Sequence, residues 1–133
     1  MNVVLDADVL IGALDARDDH HPDARRLFAR WHRDDAARVI SVVNLTEVLI
    51  APAADRARLR TARAAIAALG VAVDASGERV GVDAARLRQR HPISLPDAYC
   101  LATAHDLGAA VASFDAKVLR AARAERIDVE AMR

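Results

Sequence analysis

The sequence predicts an α/β fold: a three-layer α/β/α sandwich around a mainly parallel sheet of four to five short strands. Three observations predict it. Short β-type runs alternate with helical patterns along the chain, and parallel strands joined by right-handed helical crossovers satisfy that alternation. The 133 residues, 53% of them hydrophobic, can build one core and leave little room for two, so residues 1–133 are expected to form a single domain. No internal repeat, Ser/Gly linker or low-complexity tail divides the chain.

Val3–Leu5 is the first β-type run, and Ala7–Ala16 reads as the helix that follows it. A second helix is expected over Pro22–Arg33, where Ala24, Leu27, Phe28 and Trp31 recur at helical spacing. Val39–Val43 is the second β-type run, followed by a short helix around Leu45–Ala51. Between Asp55 and Leu69 a long helix sets Leu59, Ala62, Ile66 and Leu69 on one face and Arg56, Arg60 and Arg63 on the other, with Gly70 as a natural stop. Val71–Val73 makes a third strand and Arg79–Arg90 a helix. Pro96–Leu107 makes another helix, ended by Gly108. Ala109–Ala112 is the fourth strand, Ala116–Ala124 the last helix, and Ile127–Val129 suits an edge strand.

Composition narrows the function. The apolar fraction is too high for intrinsic disorder. The apolar stretches fall well short of the ~20 residues a membrane span needs. No basic segment precedes the first apolar run as it would in a signal peptide, so a cytoplasmic protein is expected. Cys100, the sole cysteine, excludes an intrachain disulfide framework and a multi-cysteine zinc site, and reads as a small buried hydrophobe. The 19 basic and 19 acidic residues cancel, which argues against coating nucleic acid by bulk charge but leaves room for a locally basic groove. Neither GxGxxG nor GxxxxGK[ST] occurs, so a nucleotide-binding loop is not supported.

Most acids sit among arginines, as on a solvated face. A few do not. Asp6 and Asp8 interrupt the apolar run Val3–Leu14; Glu47 is the only charge between Ser41 and Ala54; Asp97 is the only one between Ile93 and Ala104; Asp115 follows the run Ala109–Phe114. A carboxylate in such company is costly unless it is paired, caps a helix or binds a cation. Each has a plain structural explanation: Asp6 and Asp115 stand where helix N-caps belong, Asp97 with Ser94 and Pro96 resembles a capping box, and Glu47 could point outwards. Together they suggest more, because Asp6 and Asp115 fall at carboxyl ends of predicted parallel strands and Glu47 on a helix entered from another. That edge is where open α/β sheets bind ligands. Carboxylates converging there stay ionised together only around a cation, and hard oxygen ligands select Mg²⁺ or Mn²⁺ over zinc. Such a site suits phosphodiester hydrolysis.

The stretches VVLDADVLIGAL, ISVVNLTEVL, SLPDAYCLATA and AVASFDAKV resemble, in order, the four motif blocks of the PIN domain family, and most closely its small VapC-type toxins of bacterial toxin–antitoxin pairs. The resemblance covers nearly the whole chain. It implies a metal-dependent endoribonuclease acting on RNA, held inactive by a cognate antitoxin protein and forming a homodimer. It assigns the metal-binding, catalytic acids to Asp6, Glu47, Asp97 and Asp115. Ser113 matches the family's small hydroxyl residue two positions before the last acid. Asp8 stands where the family often has Asn, Ser or Thr; it either strengthens the metal site or hydrogen-bonds to it.

Arg86, Arg88 and Arg90, with His91, form a basic cluster just before the Asp97 block that could hold a phosphate backbone, whereas Arg56, Arg60 and Arg63 read first as a solvated face. His20 and His21 lie in a polar connection and are expected to face water; His105, two turns beyond Asp97, either reaches the site rim or is structural. Two rival readings stay open. Asp6-Ala7-Asp8 after a strand resembles the opening motif of haloacid-dehalogenase-type phosphatases, with Asp6 as nucleophile and Ser41 as second motif, although Lys117, the only lysine, comes after Asp115 and not before it. A PIN-like module that binds RNA or protein without catalysis is the other.

Overall fold

Val3, Val4 and Leu5 are consecutive apolar residues, and a strand of that kind needs cover on both faces. The structure, a computed structural model describing residues 2–132, supplies it. Strands β1 (Asn2–Leu5), β2 (Ala37–Ser41), β3 (Val71–Asp74) and β4 (Ala110–Ala112) form one all-parallel sheet in the order β3-β2-β1-β4. In the central strand Val4 lies opposite Val39 on one side and Val111 on the other.

The helices are α1 (Ala7–Leu14), α2 (His21–Arg33), α3 (Val42–Leu49), α4 (Arg56–Ala68), α5 (Glu78–Arg90), α6 (Leu95–Leu107) and α7 (Ala116–Ala124). Strand pleating splits the core in two. Val3, Leu5, Ile40 and Ala112 face one way, against Val9 and Leu10 of α1, Leu27, Phe28 and Trp31 of α2, Val48 of α3 and Ile66 of α4. Val4 and Val111 face the other way, against Val80, Ala84 and Leu87 of α5, Cys100 and Leu101 of α6, and Val118 of α7. The fold is therefore the expected sandwich, and the α2 stripe at Ala24, Leu27, Phe28 and Trp31 is buried as its spacing predicts. Each large apolar side chain so enclosed contributes roughly 1.5–3 kcal/mol.

Several boundaries differ from the sequence reading: α1 ends at Leu14 and not Ala16, β2 begins at Ala37 and not Val39, and α3 spans Val42–Leu49 and not Leu45–Ala51. Val42 and Val43 are helical: Ser41, fully buried, accepts the Val43 N–H at 3.1 Å and starts α3 there, so the strand stops despite its β-branched continuation. Ile127–Val129 is not a full strand. Val129 makes a single bridge to Val111, with Val111 N–H donating to Asp128 O and Glu130 N–H to Val111 O, each at 2.8 Å. A short 3-10 turn, Pro52–Ala54, also precedes α4, whose N-cap is Asp55. Gly108 ends α6 at φ 60°, a left-handed conformation that glycine adopts without a Cβ clash. Among the described residues no helix is long and apolar enough to cross a membrane.

Candidate active site

Strand β1 runs directly into Asp6, whose extended backbone makes it the N-cap of α1. Its Oδ1 accepts the Ala7 N–H at 2.8 Å. Its Oδ2 accepts the Ser113 hydroxyl at 2.7 Å, and the side chain is almost wholly buried. Ser113 Oγ in turn accepts the Asp115 N–H at 3.0 Å, and Asp115 Oδ1 accepts the Lys117 N–H at 2.8 Å to cap α7. Asp8 Oδ2 accepts the Phe114 N–H at 3.0 Å, while its Oδ1 is buried with no hydrogen-bond partner among the described residues. The β1–α1 and β4–α7 junctions are thus laced together through carboxylates.

The other two acids arrive on helices. Asp97 is the third residue of α6, and it completes a capping box: Ser94 Oγ accepts the Asp97 N–H and Asp97 Oδ2 accepts the Ser94 N–H, both at 3.2 Å. Glu47 lies on α3, where the buried Asn44 donates to its Oε1 at 3.3 Å and to the carbonyl of Pro96 in α6 at 3.1 Å. Asp6, Asp8, Glu47, Asp97 and Asp115 all line one cavity of about 410 Å³, with Ile11 and Ile50 at its apolar side. It lies beyond the carboxyl ends of β1 and β4, where the strand order reverses.

Burial and neighbouring charges raise the proton affinity of Asp6, Asp8 and Glu47. Burial first, and then the Asp8 charge, push the Asp6 carboxyl up to about 7; the Ser113 hydroxyl pulls against this and Asp97 adds to it. Burial lifts Asp8 to about 6, opposed by the Phe114 N–H and by nearby His20, and assisted by Asp115. Glu47 is raised by burial and by Asp97, against the bond from Asn44. Burial raises the Cys100 thiol, and Asp6, Asp8, Asp97 and Glu47 raise it further, which places it behind the cluster. A set of hard oxygen donors that resist ionising together is the environment a divalent cation relieves. The unpartnered Asp8 oxygen fits the same ligand. Among the described residues no three His, Cys, Asp or Glu side chains already close into a ligand cage. Asp6, Asp97 and Asp115 each have an oxygen engaged in a helix cap. The set fits a hard cation in donor type and charge, around one shared cavity.

The PIN domain profile matches residues 3–124. The chain belongs to the PIN domain family. Solved structures of similar fold include a toxin–antitoxin complex from Klebsiella pneumoniae, at 20% identity and TM-score 0.73 over 88% of this chain and 89% of that one. VapC20 from Mycobacterium tuberculosis, described as a sarcin–ricin loop cleaving toxin, is 20% identical with TM-score 0.73 over 90% and 94% of the two chains. VapBC-1 from nontypeable Haemophilus influenzae is 15% identical with TM-score 0.73 over 99% and 98%. A search of curated proteins gave no match.

Arg86, Arg88, Arg90, His91 and His105 of this PIN domain do not line the cavity. Arg90 forms a two-pronged ion pair with Glu125 at 3.1 and 3.0 Å, joined by His91 at 2.6 Å, so this end of the basic cluster ties α5 to the end of α7. His91 and Arg90 hold the Glu125 carboxyl below its ordinary range. Arg86 lines a separate hollow with His105, and Arg88 is exposed. His105 Nδ1 lies 3.0 Å from Asp83 Oδ2 and does not reach the rim. His20 and His21 are not simply in water: His20 stacks on Phe114 at 4.2 Å, and His21 Nδ1 lies 2.7 Å from the Gly12 carbonyl oxygen. Sequence reasoning missed Asn44 and the Ile11 and Ile50 side of the cavity. An amide three residues before a lone glutamate in an apolar helix was the available signal, because such pairs share a helix face. The phosphatase alternative loses its second motif, since Ser41 is buried and its hydroxyl caps α3.

Proposed function

We propose that this PIN domain is a Mg²⁺- or Mn²⁺-dependent endoribonuclease that hydrolyses RNA phosphodiester bonds, and that it is the toxin of a toxin–antitoxin pair. The observation that carries the reading is the meeting of Asp6, Glu47, Asp97 and Asp115, from three helix starts and one helix interior, around a single cavity at the sheet's switch point. The toxin half draws on two of the similar structures, described as a toxin–antitoxin complex and as a toxin.

Asp6, Glu47, Asp97 and Asp115 would hold one or two ions, with Asp8 beside them. A bound ion there supplies a water of lowered pKa and offsets charge developing on the leaving oxygen. The chain's own part is orientation. Ser113 holds Asp6 by one oxygen and the start of α7 by its N–H, so two acids keep a fixed relation. Ile11 and Ile50 border the acids with exposed apolar surface. Attack by water on phosphorus with the 3′-oxygen as leaving group breaks the P–O3′ bond and leaves 5′-phosphate and 3′-hydroxyl ends. The metal-free route through a cyclic phosphate needs a general base and a general acid, and the two histidines that flank the Asp97 block in sequence, His91 and His105, are held by Glu125 and Asp83 and do not line the cavity.

End chemistry tests the reading. Cleavage that needs Mg²⁺ or Mn²⁺, gives 5′-phosphates, stops in Asp6→Asn and survives His105→Ala is the expected result. Cyclic phosphate ends that persist in excess chelator overturn it, and RNA binding without cutting establishes a non-catalytic PIN module instead. On the same reading the partners are a cognate antitoxin, for which an arginine reaching the acids is the natural blocking device, and a second copy of the chain.

A further inference from the structure

We infer that Asn44 is a positioning residue: it holds the Glu47 carboxylate toward the start of α6, so that Glu47 and Asp97 act on one cation. This rests on reading the cavity as a metal-dependent site. Glu47 is the least constrained of the four acids. Asp6, Asp97 and Asp115 are each fixed by a helix cap next to their own backbone. Glu47 stands mid-helix and exposed, on a long side chain, and among the described residues Asn44 is its only hydrogen-bond partner.

Asn44 is built for that task. It is fully buried, and its amide nitrogen serves two acceptors on different helices, Glu47 Oε1 at 3.3 Å and Pro96 O at 3.1 Å. Both partners are acceptors, so the amide can face only one way. The Pro96 carbonyl lies in the same first turn as Asp97. One side chain therefore links the helix that carries Glu47 to the turn that carries Asp97. Packing alone does not account for an asparagine here. Its Oδ1 is buried with no partner among the described residues, a penalty an alanine or leucine would avoid. The gain lies in the two donated bonds, one of which ends on a site carboxylate.

The test is a double-mutant cycle read as Mn²⁺ affinity by calorimetry on the full chain, without RNA. Asn44→Ala is expected to weaken Mn²⁺ binding by ~10–100-fold, the usual effect of removing a group that orients a metal ligand. In a Glu47→Ala background the same change should alter affinity less than about twofold, because the group it acts through is gone. Equal weakening in both backgrounds would make Asn44 a mere prop of α6 and overturn the inference, as would unchanged affinity in a folded Asn44→Ala protein. Should the alanine variant fail to fold, Asn44→Ser, which is polar but too short to reach Glu47, enters the same cycle. A wild-type chain that takes up no Mn²⁺ removes the metal-site reading and this inference with it. A wild-type chain that binds Mn²⁺ and cuts RNA, with Asn44 variants that bind equally well, removes this inference alone.

Discussion

Asp6 answers two demands with one side chain. It caps α1 through one oxygen and accepts the Ser113 hydroxyl through its second, while buried at the cavity's edge. Its folded pKa of about 7 lies above its ordinary 3.8, so folding disfavours its ionised form. The stability at stake is fully present below about pH 4 and is lost as pH rises through 7. Cation-free protein should therefore melt at a higher temperature at pH 5 than at pH 8, and Asp6→Asn should recover about 1–3 kcal/mol at pH 8. A melting temperature that is level between those pH values, followed by calorimetry or circular dichroism, would sink the idea. Added Mg²⁺ should raise the wild-type melting point more at pH 8 than at pH 5, since the cation and the proton compete for the same oxygens. Ser113 gives a second check. Ser113→Ala removes the hydroxyl that lowers Asp6's proton affinity and leaves the Asp115 N–H without its acceptor. Cleavage should fall by ~10–100-fold, and its pH profile should move upwards.

At the scale of elements, the capping explanation and the catalytic one proved to be compatible. Asp6, Asp97 and Asp115 all cap helices, and all three line the cavity. Asp6 and Asp115 are N-caps at strand-to-helix junctions, which a parallel sheet gathers at one edge, whereas Asp97 comes from the start of α6, which follows another helix. The two roles separate experimentally at α6. Ser94→Ala removes the hydroxyl that accepts the Asp97 N–H and should cost about 0.5–2 kcal/mol, seen as a melting point a few degrees lower. Asp97→Asn keeps an oxygen that can accept the Ser94 N–H, so its stability should change little while cleavage is abolished. A melting point that falls as far in Asp97→Asn as in Ser94→Ala would favour capping as that residue's main task. Element types are more legible in the sequence than element boundaries. Helix α3 starts earlier than its residues suggest because Val42 and Val43 favour strands by shape, whereas the Ser41 hydroxyl decides the backbone locally.

For the whole molecule, the two half-cores share one central strand: Val3 and Leu5 belong to one side and Val4 to the other. Unfolding either side exposes β1 to water, so a single thermal transition is expected, in keeping with one domain. Two separated transitions would count against it. Expression together with the neighbouring gene of its operon should yield a tight complex of low nuclease activity. If the chain is harmless when expressed alone and yet cuts RNA once purified, the toxin role fails while the nuclease stands.

Periodicity and junction chemistry in the sequence alone determined the alternation of strands and helices, the capped helix starts, and which acids lie in apolar company, because these follow from a residue and its near neighbours. The sequence blocks also carried the family. Only the tertiary structure decided the rest. The strand order brings Asp6 beside Ser113, 107 residues away. It turns Arg90 and His91 to Glu125 instead of the cavity, and joins Asn44 to Pro96 across two helices. Those pairings depend on which helix packs on which face, and that is set by burial of the whole apolar surface at once, a quantity no local stretch of sequence contains.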